Sequence, residues 1–483
     1  MNPIPMKLTL RLLVVFSAVA LLSVPATAKR TDDRPNILFI LLDDLGKEWV
    51  STYGARDIET PVVDSLAAGG VKFNNFYVMP QCTPTRLTLM TGQKPFRHGW
   101  VNHWDVPRWG GGAHYDYVLN PSLVKGINDA GYATAVAGKW QVNDFRVQPE
   151  AMVEMGFDDY CMWTGGEGDN PPSDERYWDP YIHTKDGSRT YPGEFGDKVF
   201  TDFLIDFMGK HKDEPMLMYF AMCLPHWPWV STPSEPHVTD QLDQHKAMVR
   251  YADELTGQLV QALDDLGIRD DTIIVWTTDN GTSEEITGTR NGRRVPGGKT
   301  KTLESGINSP FIVNAPGRVP AGIESNALFT IADLMPTFAD MAGAKLPEQF
   351  VLDGISVADA MLGESARSPH DWIMAMGGRN EARLTDSGVE NAYVYRDRVL
   401  RTERFKLYVD TNRTPEKLFD LENDPWEENN IIGSKDADAA AAQAFLSRQL
   451  SRYPGRDSDP IYRPLPERPW DVPITAQSEV WKQ

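Results

Sequence analysis

The segment "QCTPTRLTLMTGQ", residues 81–93, places Cys82 two residues before Pro84 and four before Arg86 in a chain with three cysteines. A stretch this polar, punctuated by Pro84 and Gly92, does not read as ordinary core, so the thiol is expected at a site. Two acidic pairs stand elsewhere, Asp43-Asp44 after "NILFILL" and Asp279-Asn280 after "TIIVWTT". All four side chains offer oxygen, the donor set of a hard divalent cation such as calcium or magnesium rather than zinc. Taken singly, an aspartate after a strand is a common turn former or helix cap. Two such clusters at two strand ends are what point to a metal.

A basic segment supplies the opposite charge. "TRNGRRVPGGKTKT" gathers Arg290, Arg293, Arg294 and Lys299 with no acid from Thr287 to Leu303. Fixed cations beside a metal would bind an anionic group such as sulfate or phosphate. A solvated basic loop accounts for the three arginines equally well, and less well for Lys299, which follows two glycines. Lys139 in "AGKWQ" and His226 in "LPHWPW" follow strand-like runs. A histidine between proline and tryptophan is often simply packed, but beside an anion pocket it could protonate a leaving group near neutral pH.

The elements that would position these groups alternate. "NILFILL" (36–42) and "TIIVWTT" (272–278) are continuous apolar runs, as in strands buried on both faces. Helical periodicity is expected over 60–68, 121–130, 193–209 and 242–266, and strand-like "MLMYFAMCL" follows the third of these. In open parallel sheets ligands collect beyond the carboxyl ends of strands, so the two acidic pairs can converge there. Residues 165–192, rich in Gly, Pro and Asp and carrying Tyr177, Trp178 and Tyr181, read as a lid beside the pocket. After Ala366 the texture changes to short antiparallel strands over "NAYVYRDRVLRTERFKLYVD", a helix over 436–453 and a proline-rich tail. The division expected is a leader over 1–28, a catalytic domain over 29–366 and a C-terminal subdomain over 367–483.

Lys7 and Arg11, then an apolar run from Leu12 to Val24, then Ala26-Thr27-Ala28 follow the order of a secretory signal with cleavage after Ala28. The run is shorter than the roughly 20 residues of a spanning helix, so an exported protein, periplasmic or secreted, is expected; an uncleaved signal anchor is the alternative. Losing those two cations takes the formal charge from −20 to −22. A surface this acidic argues against nucleic acid and membrane as partners. With 41% apolar residues the chain can bury a large core, and its length suggests two or three structural units. Cys161 and Cys223 could pair or be two buried thiols; either way Cys82 is left over.

The Cys82–Arg86 interval is too short for the phosphate-cradling loop of a thiolate phosphatase. "CTPTRLTLMTG" instead resembles the signature of the type I sulfatases of the alkaline phosphatase-like superfamily. "NILFILLDD", "GKW", "PHWP", "TTDNG", "GGKTKTLESG", "DGISV" and "LFDLENDPWEENN" resemble further motifs of that family in the same order, over nearly the whole chain after the leader. The resemblance implies an α/β sandwich with a large, mostly parallel central sheet flanked by helices, and a smaller C-terminal α+β subdomain with an antiparallel sheet. It implies oxidation of Cys82 to formylglycine (3-oxoalanine) by a formylglycine-generating enzyme before folding. It also implies one calcium ion held by Asp43, Asp44, Asp279, Asn280 and the modified Cys82.

In the reaction so implied, one hydroxyl of the aldehyde hydrate attacks sulfur, and the other then loses its proton and expels sulfate. Arg86 and Lys139 match the residues that orient the hydrate, and His226 and Lys299 those that touch sulfate or protonate the departing oxygen. Gln141 is a departure, since the family commonly has histidine there. Glutamine bonds but cannot accept a proton at neutral pH, so either another base such as Asp144 serves or desulfation is slow. His98, Asn102 and His103 in "RHGWVNHW", with Gln141 and Arg290, are candidates for contacting the rest of the substrate. Export and 14 tryptophans favour a sulfated carbohydrate. The competing readings are a phosphodiesterase or phosphonate monoester hydrolase of the same superfamily, and a catalytically idle, calcium-dependent binder of sulfated glycans.

Overall fold

The computed structural model describes residues 1, 32–101, 114–164, 176–377, 382–385, 388–391 and 393–464. The expected leader, Asn102, His103, the first part of the 165–192 stretch and most of the proline-rich tail lie outside the described residues.

Strands are numbered in chain order: β1 Asn36–Leu42, β2 Val71–Tyr77, β3 Ala133–Lys139, β4 Asp159–Trp163, β5 Tyr181–Thr184, β6 Gly187–Thr190, β7 Met216–Ala221, β8 Thr272–Thr278, β9 Thr287–Arg290, β10 Arg293–Pro296, β11 Asn308–Asn314 and β12 Ile323–Thr330. Ten of them form one sheet in the order β12-β2-β11-β8-β1-β7-β3-β4-β5-β6, while β9 and β10 make a separate hairpin. Only β11 and β5 run against the others. The first strand shows why: all seven residues of "NILFILL" are buried. Ile37, Phe39 and Leu41 join one core and Leu38, Ile40 and Leu42 the other, as the two-residue period of a strand requires. Helices Pro61–Ala68, Gly196–His211 and Gln241–Asp265 supply the second core. Cys82–Thr91, Leu123–Asp129 and Leu334–Met341 supply the first. Among the described residues no helix is long and apolar enough to cross a membrane.

A smaller antiparallel sheet follows, with β13 Ile373–Met376, the hairpin strands β14 Ala382–Thr385 and β15 Gly388–Asn391 beside it in sequence, then β16 Arg398–Arg401, β17 Phe405–Val409 and β18 Pro415–Asp420. Its order is β13-β16-β17-β18, and the helix Ala437–Leu450 packs on it. Its core takes in Tyr77, Met79, Phe96, Ile307 and Leu328 from earlier in the chain, so the small sheet is built onto the larger unit.

Two readings of local texture change. The Cys82–Thr91 segment is a helix in which every residue is buried. It tolerates this because its threonines find partners inside: Thr85 Oγ1 donates to the Asp279 carbonyl at 2.8 Å, and Thr91 Oγ1 to the Leu87 carbonyl at 2.6 Å. The expected lid is partly sheet, since β5 and β6 extend the large sheet at its edge. Tyr177 is buried, and its hydroxyl meets the carbonyls of Cys223 at 2.9 Å and His226 at 2.6 Å. Cys161 and Cys223 do not pair; none of the three cysteines is in a disulfide. Cys161 lies on β4 and Cys223 beyond the end of β7, with β3 between them. Two strand spacings, roughly 10 Å, exceed the reach of a disulfide.

Candidate active site

Four adjacent strands, in the order β8-β1-β7-β3, end at one place. Leu42 is in register with Thr278, so Asp43-Asp44 and Asp279-Asn280 leave the sheet side by side, and the Asp279 N–H donates to the Leu42 carbonyl at 3.0 Å. Lys139 closes β3, and the turn after β7 carries His226. Cys82 begins the buried helix that follows β2, and Lys299 comes from the loop between β10 and β11.

The side chains meet in a charge lattice. Asp43 Oδ2 accepts from Lys139 Nζ at 2.6 Å. Arg86 donates to Asp279 Oδ2 at 2.8 Å and to the Lys139 carbonyl at 2.9 Å. Lys299 Nζ donates to Asp44 Oδ2 at 2.6 Å and lies 3.2 Å from His226 Nε2, which is itself 3.6 Å from Asp44 Oδ2. Ligand atoms of Asp43, Cys82 and Asp279 lie within 4.8 Å of one another, as do those of Asp43, Asp44 and His226.

Burial and charge act in opposition here. Burial alone would raise the Asp43 carboxyl, but Lys139, His226, Arg86 and Lys299 hold it well below the usual carboxylate range. Burial and the neighbouring Asp43 charge push Asp279 well above that range. Lys299 is raised despite burial, chiefly by Asp44. Burial and Lys299 keep His226 well below its ordinary value. Two neighbours compete for His226 Nδ1: Arg176 Nη1, 2.9 Å away, can only donate, and the Trp227 carbonyl can only accept.

The residues fit a hard cation. Asp43 Oδ1 and Asn280 Oδ1 are buried acceptors with no hydrogen-bond partner, and such acceptors are costly unless something meets them. They belong to an all-oxygen group of Asp43, Asp44, Asp279 and Asn280, the set that suits calcium or magnesium.

Nine of the residues singled out in the sequence therefore come together: Asp43, Asp44, Cys82, Arg86, Lys139, His226, Asp279, Asn280 and Lys299. Two others stand apart from this lattice. His98 is buried, with Nε2 at 3.2 Å from Thr88 Oγ1 and Nδ1 accepting from the Trp100 N–H at 3.1 Å. Burial holds it down at about 3, so it is a neutral packed ring. Arg290 donates to the Tyr53 carbonyl at 3.0 Å and lines a separate cavity with Lys47, Glu48 and Trp426. Gln141 lies two residues past Lys139 with a left-handed φ of 63°. Asp144, the alternative base, is held by Arg146 through both oxygens at 3.1 and 2.9 Å.

Sequence reasoning missed Arg176 and Asp197. Arg176 stacks on Trp163 at 4.0 Å and reaches His226, but lies within the 165–192 stretch, whose reading as a lid marks out its aromatic residues and no arginine. Asp197 looks like an acidic residue in the first turn of a helix. Its Oδ1 accepts from the Cys223 N–H at 2.8 Å, gripping the turn that carries His226. Burial pushes this carboxyl up to about 7, opposed by the Cys223 and Leu224 N–H groups and reinforced by Asp43. A raised carboxyl contributes stability that is full below about pH 4 and is lost as pH rises through about 7. Asp197→Asn, which copies the shape of the protonated acid, is expected to flatten that slope. At pH 8 it should be more stable than wild type by on the order of 3 kcal/mol. Denaturant unfolding at pH 5 and pH 8 checks this, and parallel profiles for the two proteins would refute it.

Comparison with known proteins agrees with this architecture. The family described as Sulfatase matches residues 35–344, and the family described as N-sulphoglucosamine sulphohydrolase, C-terminal, matches residues 298–454. The chain is 31% identical over 395 residues to N-acetylgalactosamine-6-sulfatase of Canis lupus familiaris, spanning 75% of this chain and 72% of that protein. It is 30% identical over 451 residues to arylsulfatase A of Bos taurus, spanning 86% and 87%. A solved structure of Ps i-CgsB in complex with k-i-k-neocarrahexaose superposes with a TM-score of 0.72 at 26% identity, covering 89% of this chain and 95% of that one. The chain belongs to the type I sulfatase family, whose members are sulfuric ester hydrolases.

Proposed function

We propose that this protein is an exported sulfatase that removes a sulfate ester from a sulfated carbohydrate, using formylglycine at position 82 and one calcium ion. The observation that carries the reading is the placement of Cys82 at a helix start, with its sulfur within 4.8 Å of Asp43 and Asp279 carboxylate oxygens. A formylglycine hydrate supplies a nucleophilic oxygen that a thiol or an unassisted serine does not. Asp43, Asp44, Asp279 and Asn280 would hold a divalent cation, which would supply positive charge opposite the sulfate.

The remaining work falls to fixed side chains. Arg86, tied to Asp279 and the Lys139 carbonyl, orients the group at position 82. Lys139 and Lys299 present cations to the anionic sulfate. His226 Nε2 lies 3.2 Å from Lys299 Nζ; with the ring neutral it accepts from that ammonium, so the pair carries on Lys299 the proton the departing oxygen needs, because an alkyl alkoxide is a poor leaving group. Because Cys82 is only 2% exposed once folded, its conversion by a formylglycine-generating enzyme precedes folding. The carbohydrate assignment is supported by relatives named for an N-acetylgalactosamine sulfate or solved with a neocarrahexaose.

Sulfate and phosphate monoesters of one alcohol, assayed side by side, test the reaction. Sulfate release is expected to be faster by at least about 100-fold, a margin of roughly 2.7 kcal/mol in transition-state binding. A faster phosphate or phosphonate ester would favour the phosphoryl-transfer reading. Binding of a sulfated oligosaccharide without sulfate release would favour an idle binder.

A further inference from the structure

The loop that carries Lys299 is held from two directions. On the sheet side, the Lys299 N–H donates to the Thr282 carbonyl at 3.0 Å, the Thr300 N–H to the Pro80 carbonyl at 2.8 Å, and the Gly281 N–H to the Gly306 carbonyl at 2.9 Å. On the far side the contacts come from the small sheet. Lys406 of β17, with a fully buried side chain, donates to Glu304 Oε1 at 2.9 Å and reaches Glu427 Oε1 at 2.8 Å. Glu427 Oε2 in turn accepts from the Glu304 N–H at 2.8 Å. The Tyr408 hydroxyl lies 3.1 Å from the Thr302 carbonyl and 2.5 Å from Glu427 Oε1. Glu304 Oε2 is closed off by the Tyr77 hydroxyl at 2.7 Å and Asn308 Nδ2 at 2.9 Å.

Between these anchors the loop has no slack. A Cβ added at Gly306 would fall 2.3 Å from the Gly298 carbonyl oxygen and 2.1 Å from that of Lys301. Thr300 sits at a left-handed φ of 72°, a conformation that a β-branched residue keeps only when its surroundings impose it. Displacement of Glu304 is therefore passed to Lys299. Burying a lysine between two carboxylates is also a poor way to gain stability, because desolvation cancels much of the attraction. What such a bridge secures is one geometry, since both carboxylates must point at the same ammonium.

We propose that the small C-terminal sheet is a working part of the active site, with Lys406 a positioning residue that holds the Gly297–Ile307 segment where Lys299 meets sulfate. This rests on the sulfatase reading above. Lys406 acts through Glu304 and Glu427 and touches no reacting atom.

The test is a double-mutant cycle with an aryl sulfate substrate on wild type, Lys406→Met, Lys299→Ala and the double variant. A misplacement of about 1 Å far from the chemistry can cost on the order of 100-fold. Lys406→Met is accordingly expected to lower kcat/KM by about 10- to 100-fold, with Lys406→Arg recovering part of the loss. In the Lys299→Ala background the same change should cost less than about threefold, because the group it positions is gone. Equal losses in both backgrounds, or an unaffected Lys406→Met enzyme, would overturn the inference. If Lys406→Met does not fold, Glu427→Gln decides by the same criterion, since it removes one charge and keeps an acceptor for the Glu304 N–H. Absence of sulfate release by wild type would instead count against the sulfatase reading itself.

Discussion

Replacing Cys82 by alanine is expected to abolish sulfate release, a loss of about 10⁴-fold or more, while leaving the fold and cation binding in place. Removing the nucleophile of a covalent mechanism costs on this scale because the remaining groups can bind but have nothing to attack with. The structural cost is small by comparison. Cys82 and the whole helix it begins are buried, but the change deletes only one small group, the thiol or the aldehyde that replaces it, worth about 1 kcal/mol at such a position. The oxygens of Asp43, Asp44, Asp279 and Asn280 are untouched, so a cation there would lose only the ligand supplied by position 82 and would still bind. Turnover, a thermal melt and a calcium titration of the same preparation separate these effects. Mass spectrometry of the wild-type peptide containing residue 82 should find an aldehyde in place of the thiol. Near-normal turnover by the variant, or an unmodified thiol in fully active enzyme, would end the assignment.

The parts of the site that sequence reasoning reached are those fixed by strands. "NILFILL" and "TIIVWTT" are apolar throughout, which identifies strands covered on both faces, and the acids that follow them must then lie beyond the carboxyl ends of those strands. That logic needs no knowledge of register, although the parallel pairing of Leu42 with Thr278 is what makes the two pairs neighbours. Residues on loops and short helices were less legible. Arg290 and Lys299 belong to one basic run, yet the β9–β10 hairpin sends Arg290 toward Tyr53 while the two glycines after it return Lys299 to the strand ends. His98 in "RHGWVNHW" reads as a substrate contact, and the fold buries it as a neutral packed ring. The threonines of the Cys82–Thr91 helix looked too polar for a core because their partners, the carbonyls of Asp279 and Leu87, are invisible without the fold. Arg176 and Asp197 carried no signal at all, since what marks them is proximity to the His226 turn.

The second large effect concerns the cation. Removing divalent ions with a chelator is expected to abolish sulfate release and to lower the melting temperature by a few degrees, both restored by calcium. Without an ion, two carboxylates, Asp43 and Asp279, face each other in a buried site, and Lys139 and Arg86 neutralise them only in part. A ligand at 100 times its Kd stabilises the folded state by about 2.7 kcal/mol, a shift of only a few degrees for a chain of 483 residues. An aspartate variant is the wrong probe, because it would strand Lys139 or Arg86 without a counter-charge at a cost of about 3–5 kcal/mol. Asn280→Ala avoids that. It deletes the buried Oδ1 that has no hydrogen-bond partner and two bonds from the uncharged Nδ2, to Asp44 Oδ1 at 2.7 Å and to the Gly281 carbonyl at 2.8 Å. Groups that merely orient metal ligands are worth about 10- to 100-fold in affinity, so a ligand oxygen is worth at least about tenfold. The variant should therefore need at least about ten times more calcium to reach the same melting temperature and the same turnover. A calcium response identical to wild type would show that Asn280 is not a ligand, and an enzyme indifferent to chelation would remove the cation from the site altogether.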